Sequence, residues 1–112
     1  MRRIDAVIRP ERLEQVKALL SSIDIQGATA AEVRGFGRQR GHTEMYRGTE
    51  YSVDFLPKIQ ITIVAADERV AQIVDAIIQG SRTGKLGDGK IFVTPVDEAI
   101  RIRTGERGPT AL

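Results

Sequence analysis

The sequence predicts an α+β fold in which two helices cover one face of a four-stranded antiparallel sheet. Apolar residues alternate with polar ones at residues 3–9 and 58–63, which is the period-two pattern of a half-buried strand. After each of these segments, apolar residues recur every three or four positions, as they do in an amphipathic helix. The chain therefore contains two strand–helix–strand units, and a long polar segment joins them.

The first unit begins with the strand at 3–9, where Ile4, Ala6 and Ile8 share one face. Pro10 ends this strand and is tolerated in the first turn of the helix predicted at 11–22. After a turn near Gly27, a weaker alternation predicts a second strand at 29–36. The apolar stripe of the helix is formed by Leu13, Val16, Leu19, Leu20 and Ile23.

The second unit has the clearest strand pattern, because three β-branched residues, Ile59, Ile61 and Ile63, alternate with polar ones after Pro57. Asp67 is predicted to cap a second helix that runs to about residue 80. A glycine-rich stretch at 81–90 then leads to an apolar strand at 91–96. Beyond it we expect a small strand at 98–103 and a frayed tail at 104–112. The apolar stripe of the second helix is formed by Val70, Ile73, Val74, Ile77 and Ile78.

This order of elements is the split βαβ pattern of ferredoxin-like domains, with the long loop between the second and third strands. The sheet face without helices would present Val7, Val64 and one side of the strand at 91–96. Because an apolar sheet face seldom stays exposed to water, we expect self-association to bury it.

Composition excludes several classes of protein. A length of 112 residues favours a single domain, 1–112, and no apolar run approaches the roughly 18 residues of a membrane helix. The N-terminus does not resemble a signal peptide, so we expect a cytoplasmic protein. The absence of cysteine removes disulfides and thiolate catalysis. A net charge of +2 and few aromatic residues argue against a nucleic-acid partner.

The polar segment at 37–54 lacks any apolar period and is predicted to be a loop without regular structure. A loop of this length in a small domain is usually functional or disordered. Tyr46 and Tyr51 lie in it, and their hydroxyls would be accessible to a modifying enzyme. His42 has no neighbouring motif that favours catalysis or metal binding.

The stretch TGKLGDGK at 83–90 resembles a phosphate-binding turn, because glycines let backbone N–H groups approach an anion while Lys85 and Lys90 add positive charge. It lacks the spacing of a P-loop and precedes a strand, which excludes a P-loop NTPase. Asp88 is expected to serve the turn itself. A turn-rich connection with solvated lysines is an equally good interpretation.

Three further basic residues are candidates for anion binding. Arg101 and Arg103 are two positions apart, so on an extended segment they would point to one side and could reach phosphates together. Lys58 begins the best strand at the foot of the long loop, where it could pair with a carboxylate. Taken alone, each of the three is more often a solvated surface residue.

Taken together, GFGRQRGHTEMYRGTEYSVDFLPK, TGKLGDGKIFV and IRIRTGE closely resemble the PII family of nitrogen-regulatory signal-transduction proteins. The resemblance covers residues 1–106 and departs only at the tail and in conservative choices such as Arg40. It implies a homotrimer of ferredoxin-like subunits with nucleotide clefts between neighbours. It also implies three functional loops: a T-loop at about 37–55, a B-loop at about 82–90 and a C-loop at about 101–106.

The resemblance implies ATP, ADP, Mg²⁺ and 2-oxoglutarate as ligands. The dicarboxylate would bind at the T-loop base only with Mg-ATP, where Gln39 ligates the metal and Lys58 pairs with the distal carboxylate. Its other contacts would be Arg40 and Gly41. The nucleotide contacts would be Thr29, Gly37, Arg38, Val64, Gly87, Asp88, Gly89, Lys90, Arg101 and Arg103.

For partners, the resemblance implies a T-loop that binds nitrogen-metabolism proteins through Arg47, Tyr46 and Thr49, and nucleotidylylation at Tyr51. Implied partners are an ammonium transporter, a nucleotidylyltransferase and a glutamine synthetase adenylyltransferase, with membrane contact only through the transporter. Two alternatives are a small ATP-using enzyme and a nucleic-acid binder. The enzyme alternative is weakened because the phosphate motifs contain no evident general base.

Overall fold

The computed structural model describes residues 1–37, 43–46, 49–52 and 55–112 of the chain. Eight helices and strands follow one another in this order: β1 Arg2–Ile8, α1 Leu13–Ser22, β2 Thr29–Gly35, β3 Thr43–Tyr46, β4 Thr49–Ser52, β5 Leu56–Ala65, α2 Val70–Ser81 and β6 Lys90–Pro95. The predicted ferredoxin-like architecture is confirmed.

Four of the strands form one antiparallel sheet in the order β2-β5-β1-β6. In the central pair, Ile4 lies opposite Ile63, Ala6 opposite Ile61 and Ile8 opposite Ile59. Directly opposite residues share a face, so the alternation predicted from the sequence places all these side chains on the same side of the sheet. This register creates the apolar floor on which both helices pack.

The helices complete the core by burying one stripe each. Val16 and Leu20 of α1 and Ile73, Ala76 and Ile77 of α2 are buried against the sheet. The two helices approach closely at Gly80, where a Cβ atom would lie 2.9 Å from the Cα atom of Val16. The close approach requires glycine at this position of α2.

Both helices begin with a 3₁₀ turn, Pro10–Arg12 before α1 and Asp67–Arg69 before α2. The predicted cap at Asp67 is wrong, because its side chain makes no capping hydrogen bond. Its carboxylate instead lies 2.9 Å from the N-terminal ammonium of Met1. That ammonium and Arg2 lower the pKa of Asp67. The carboxylate therefore forms an ion pair with the N-terminus in place of the helix cap that its residue type favours.

The long polar segment contains regular structure that was not predicted. Strands β3 and β4 pair as an antiparallel ladder in which Tyr46 lies opposite Thr49 and Glu44 lies opposite Tyr51. They form a separate two-stranded sheet. A ladder that does not join the main sheet needs no apolar alternation, and for this reason the period-two pattern gave no signal.

The C-terminal predictions also fail. Residues 98–103 form only an isolated bridge between Ile100 and Arg107. Gly105 and Gly108 have positive φ values of 73° and 76°, which turn the chain back on itself. The tail is a 3₁₀ turn at Gly108–Ala111, held by a 3.1 Å hydrogen bond from Arg101 Nη2 to a backbone oxygen of Leu112. Side-chain contacts order the tail. Such contacts leave no periodic pattern in the sequence, so the tail was predicted to fray.

No helix in the described part of the chain is long and apolar enough to cross a membrane.

Candidate functional site

The glycine-rich connection between α2 and β6 has a backbone that requires glycine. Gly84, Gly87 and Gly89 have positive φ values of 86°, 98° and 101°, a region that other residues rarely occupy. At Gly89 a Cβ atom would lie 1.7 Å from the carbonyl oxygen of Val7. The connection therefore lies directly against the end of β1.

Asp88 organises this connection from within. Its carboxylate accepts hydrogen bonds of 2.8 Å from the N–H groups of Thr83 and Gly84, and a further one from the Thr83 hydroxyl. Arg9 Nε donates to the same carboxylate at 3.1 Å. Burial alone would raise the pKa of Asp88, but these donors outweigh it and hold the pKa well below its usual range. The charged carboxylate shapes the turn.

Two cationic side chains donate hydrogen bonds to carbonyl groups of the turn. Arg9 Nη2 donates to the Leu86 carbonyl at 2.6 Å, and Lys58 Nζ donates to the Gly87 carbonyl at 2.7 Å. Lys58 is only 8% exposed, so the interpretation of it as a solvated surface lysine is wrong. Burial, followed by the positive charge of Arg9, lowers the pKa of Lys58.

The turn keeps donors available for an anion. The N–H groups of Gly87 and Gly89 donate to no acceptor within the described part of the chain. Lys85 and Lys90 are exposed beside them. Arg9 and Lys58 hold the carbonyls of Leu86 and Gly87, so these two acceptors are already paired. N–H donors and ammonium groups are the chemistry that binds phosphate oxygens.

A cavity of about 420 Å³ adjoins the same lysine at the foot of the long segment. Two basic residues, Lys58 and Arg34, and one acidic residue, Glu32, line it, so the excess of positive charge fits an acidic ligand. Phe36 and Phe55 flank the long segment and stack edge to face with their ring centroids 5.1 Å apart. The cavity is lined by Pro10, Glu32, Val33, Arg34, Pro57, Lys58 and Ile59.

The other predicted nucleotide contacts lie apart from the turn. Thr29 and Val64 are exposed on the helix-free face. Arg101 pairs with Glu106 at 2.9 Å, and Arg103 is exposed in a turn, so the two arginines do not share one side of a strand. In the described part of one chain, neither forms a hydrogen bond or ion pair with residues 82–90.

Several predicted residues fall on the long segment. Gly37 is described and exposed, whereas Arg38, Gln39, Arg40, Gly41 and Arg47 lie outside the described residues. Tyr46, Thr49 and Tyr51 belong to the paired strands β3 and β4.

Arg9 is a site residue that the sequence patterns did not reveal. A signal for it existed, since the predicted topology pairs β1 with β6 and so brings the end of β1 beside the start of β6. A residue directly after β1 must therefore lie beside the glycine-rich connection that precedes β6.

Comparison with known proteins agrees with this architecture. Residues 1–106 match the family described as nitrogen regulatory protein P-II. Proteins of that name from Haemophilus influenzae, Cereibacter sphaeroides and Azospirillum brasilense are 57%, 55% and 54% identical over 112 residues, the full length of both chains in each comparison.

A solved structure of the PII protein of Arabidopsis thaliana bound to citrate is also similar. Its TM-score is 0.82 at 40% sequence identity, and the match covers 99% of this chain and 91% of that one. Sequence similarity over the full length and a shared fold together establish the relationship. The chain belongs to the nitrogen regulatory protein P-II family.

Proposed function

We propose that this protein is a non-catalytic sensor that binds ATP or ADP together with 2-oxoglutarate and passes the result to nitrogen-metabolism proteins through its T-loop. The observation that carries the proposal is the turn at 83–89. Arg9 and Lys58 hold its Leu86 and Gly87 carbonyls, while the N–H groups of Gly87 and Gly89 stay available in the described part of the chain. That arrangement suits a polyphosphate.

The nucleotide phosphates would bind to the N–H groups of Gly87 and Gly89 and to the Lys90 ammonium. Asp88, the remaining predicted contact, would act by keeping the turn in shape. Arg38 and Gly37 would approach from the T-loop base, although Arg38 lies outside the described residues.

The dicarboxylate would bind beside Lys58, in or near the cavity that this lysine lines. A relative bound to citrate, which also carries several carboxylates, supports an acidic ligand for this fold. Gln39, Arg40 and Gly41, the remaining proposed contacts, lie outside the described residues. Mg²⁺ would supply a shared positive charge between phosphate and dicarboxylate oxygens, which makes the two ligands bind cooperatively.

The complete cleft would need a trimer, because Arg101, Arg103, Thr29 and Val64 lie apart from the turn in one chain. The exposed side chains Val64 and Phe92 on the helix-free face support such an assembly. In the trimer, Arg101 and Arg103 would reach the phosphates from a neighbouring subunit, and Thr29 and Val64 would border the adenine.

The output would be the conformation of the T-loop, shifted by ligand contacts at its base. Its partners would be an ammonium transporter, a nucleotidylyltransferase and a glutamine synthetase adenylyltransferase, contacted through Arg47, Tyr46 and Thr49. Tyr51 would carry the nucleotidyl group, and a mass shift that persisted in Tyr51→Phe would place the modification elsewhere.

An ATP-using enzyme is less well supported. Asp88 is the one carboxylate at 82–90, and it is engaged by four donor groups that keep it charged. A carboxylate whose pKa is held low is a poor general base.

Isothermal titration calorimetry tests the proposal. We expect ATP to bind the wild-type protein, and 2-oxoglutarate to bind with Mg-ATP but at least tenfold more weakly without it. Lys58→Met should abolish the 2-oxoglutarate signal, whereas Lys17→Met, an exposed lysine of α1, should change nothing. Equal 2-oxoglutarate affinity with and without Mg-ATP would refute the shared metal, and steady ATP turnover would favour the enzyme.

A further inference from the structure

The segment between β1 and α1 contacts both ends of the glycine-rich turn through two arginine side chains. Arg9 precedes the 3₁₀ turn Pro10–Arg12, and Arg12 ends it. Arg9 reaches the far end of the glycine-rich turn, at Leu86 and Asp88. Arg12 reaches the near end, where its Nη2 donates to the carbonyl of Arg82 at 3.1 Å.

The carbonyl that Arg12 contacts belongs to a peptide group that is held on both sides. The peptide bond from Arg82 to Thr83 presents its oxygen to Arg12 and its N–H to Asp88, with the N–H to Oδ2 distance at 2.8 Å. Because the peptide group is planar, fixing both its oxygen and its N–H fixes its orientation. Arg12 therefore sets the direction in which the turn leaves α2.

These contacts form a closed ring of hydrogen bonds. Asp88 accepts from Arg9 Nε at 3.1 Å, and the carbonyl of Arg9 accepts from the N–H of Arg12, also at 3.1 Å. The ring thus runs from Arg12 through the 82–83 peptide group to Asp88 and Arg9, then back to Arg12. Loss of one member leaves the others without one of their constraints.

A second arginine makes the same contact elsewhere in the molecule and provides a control. Arg69, at the end of the 3₁₀ turn before α2, donates through Nη2 to the carbonyl of Ile23 after α1. In the described part of the chain, the Nε atoms of Arg12 and Arg69 are both buried without a hydrogen-bond partner. Each arginine therefore satisfies a carbonyl at the end of the opposite helix, but only Arg12 contacts the glycine-rich turn.

We propose that Arg12 is a positioning residue for nucleotide binding, acting through the 82–83 peptide group and Asp88. This inference rests on the proposed nucleotide function. It assigns to Arg12 a role that differs from the helix-capping role it shares with Arg69.

The test compares Arg12→Met with Arg69→Met. Methionine keeps the apolar stem and removes the donor in both variants. We expect Arg12→Met to weaken ATP binding about tenfold, the equivalent of one hydrogen bond from a charged donor, and Arg69→Met to leave the affinity within twofold of wild type. Arg12→Lys, which retains one donor, should recover part of the loss.

Amide hydrogen exchange provides a readout that needs no nucleotide. Exchange at the N–H groups of Thr83 and Gly84 should speed up at least fivefold in Arg12→Met and stay unchanged in Arg69→Met. Thermal unfolding of both variants measures their shared capping role. If Arg12→Met does not fold, the comparison is made between Arg12→Lys and Arg69→Lys.

Equal effects of the two methionine variants on ATP affinity or on exchange would overturn the inference, as would an unchanged exchange rate in Arg12→Met. Wild-type protein that bound no ATP would instead refute the proposed function. The exchange comparison would then still decide whether Arg12 fixes the turn.

Discussion

At the scale of single residues, glycines that look alike in the sequence have different physical reasons to be glycine. Gly27 has open space where a side chain would begin, and Gly84 also has space but a φ of +86°. Gly89 combines a φ of +101° with backbone atoms where a Cβ atom would stand. Only the last is fixed by a neighbouring strand.

We expect alanine at these three positions to separate conformational strain from steric overlap. Gly27→Ala should be neutral or stabilise slightly, because it restricts the unfolded chain. Gly84→Ala should destabilise by about 1–2 kcal/mol, the strain of a left-handed residue. Gly89→Ala should lower the free energy of unfolding more than either of the other two variants, since β1 and the turn must also move apart. Urea unfolding measures the series, and similar losses at Gly84 and Gly89 would contradict the overlap with Val7.

Asp88 illustrates how one charged side chain can shape a turn. It is charged because donors surround it, so the folded protein holds its pKa below that of the unfolded chain. The charged form therefore stabilises the fold at pH values above the unfolded pKa of about 3.9, and this contribution is lost as the pH falls through the folded value.

Asp88→Asn should lower the free energy of unfolding at pH 7 by about 1–3 kcal/mol, because hydrogen bonds to a charged acceptor are replaced by weaker ones. The difference from wild type should shrink at pH 3, where the wild-type unfolded state takes up the proton. Urea midpoints at both pH values check this. The exposed Asp97→Asn is the control, and a difference of equal size at both pH values would show that the charge of Asp88 does not contribute.

At the scale of elements, the contact between the helices depends on one small residue. Gly80 lies in α2, where glycine is less favourable than alanine by about 1 kcal/mol. The buried Val16 of α1 occupies the space that a side chain would need, with two of its atoms 2.9 Å from the Cβ position. The packing of α1 on α2 therefore overrides helix propensity.

Gly80→Ala should destabilise the protein by up to about 2 kcal/mol in total, since overpacking costs about 1–3 kcal/mol and the gain of about 1 kcal/mol in helix propensity offsets only part of that cost. The midpoint of thermal unfolding measures the change. Gln79→Ala, at the neighbouring exposed position, should have almost no effect. A Gly80→Ala protein more stable than wild type would show that the helices separate easily.

At the scale of the whole molecule, the helix-free face of the sheet combines apolar and charged groups. Phe92 is 55% exposed and Val64 is 37% exposed on this face. Between them, Asp5 accepts hydrogen bonds from Thr62 Oγ1 at 2.6 Å and Arg3 Nε at 2.8 Å. A face whose polar groups are already paired can be buried at little electrostatic cost.

Light scattering should report about three chains per particle for the wild type. Phe92→Glu should produce monomers, because it places an unpaired charge on the buried face, and its exposure in one chain means that the fold itself should survive. Circular dichroism checks the fold. Glu14→Lys, on the exposed side of α1, should remain trimeric, and a monomeric wild type would remove the proposed cleft between subunits.

Local patterns were sufficient for much of this molecule. The alternation at Ile59, Ile61 and Ile63 and the helical stripe from Val70 to Ile78 predicted the sheet and the helices, because burial on one face imposes a period on the sequence. Family motifs identified the glycine-rich turn and Lys58 before any geometry was known. The β3–β4 ladder and the ordered tail were not predicted. Neither packs on the main core, so neither has a periodic pattern of apolar residues.

The sequence by itself determined the order of the two helices and of the four strands in the main sheet, and it determined the family. Only the tertiary structure decided which groups support the turn: Arg9 lies 77 positions from Leu86 and Arg12 lies 70 positions from Arg82, and no local pattern records such a contact. The tertiary structure also decided that Asp67 forms an ion pair with the N-terminal ammonium. Periodicity reflects which face of an element is buried, whereas hydrogen bonds between distant segments depend on where the folded backbone places each donor and acceptor.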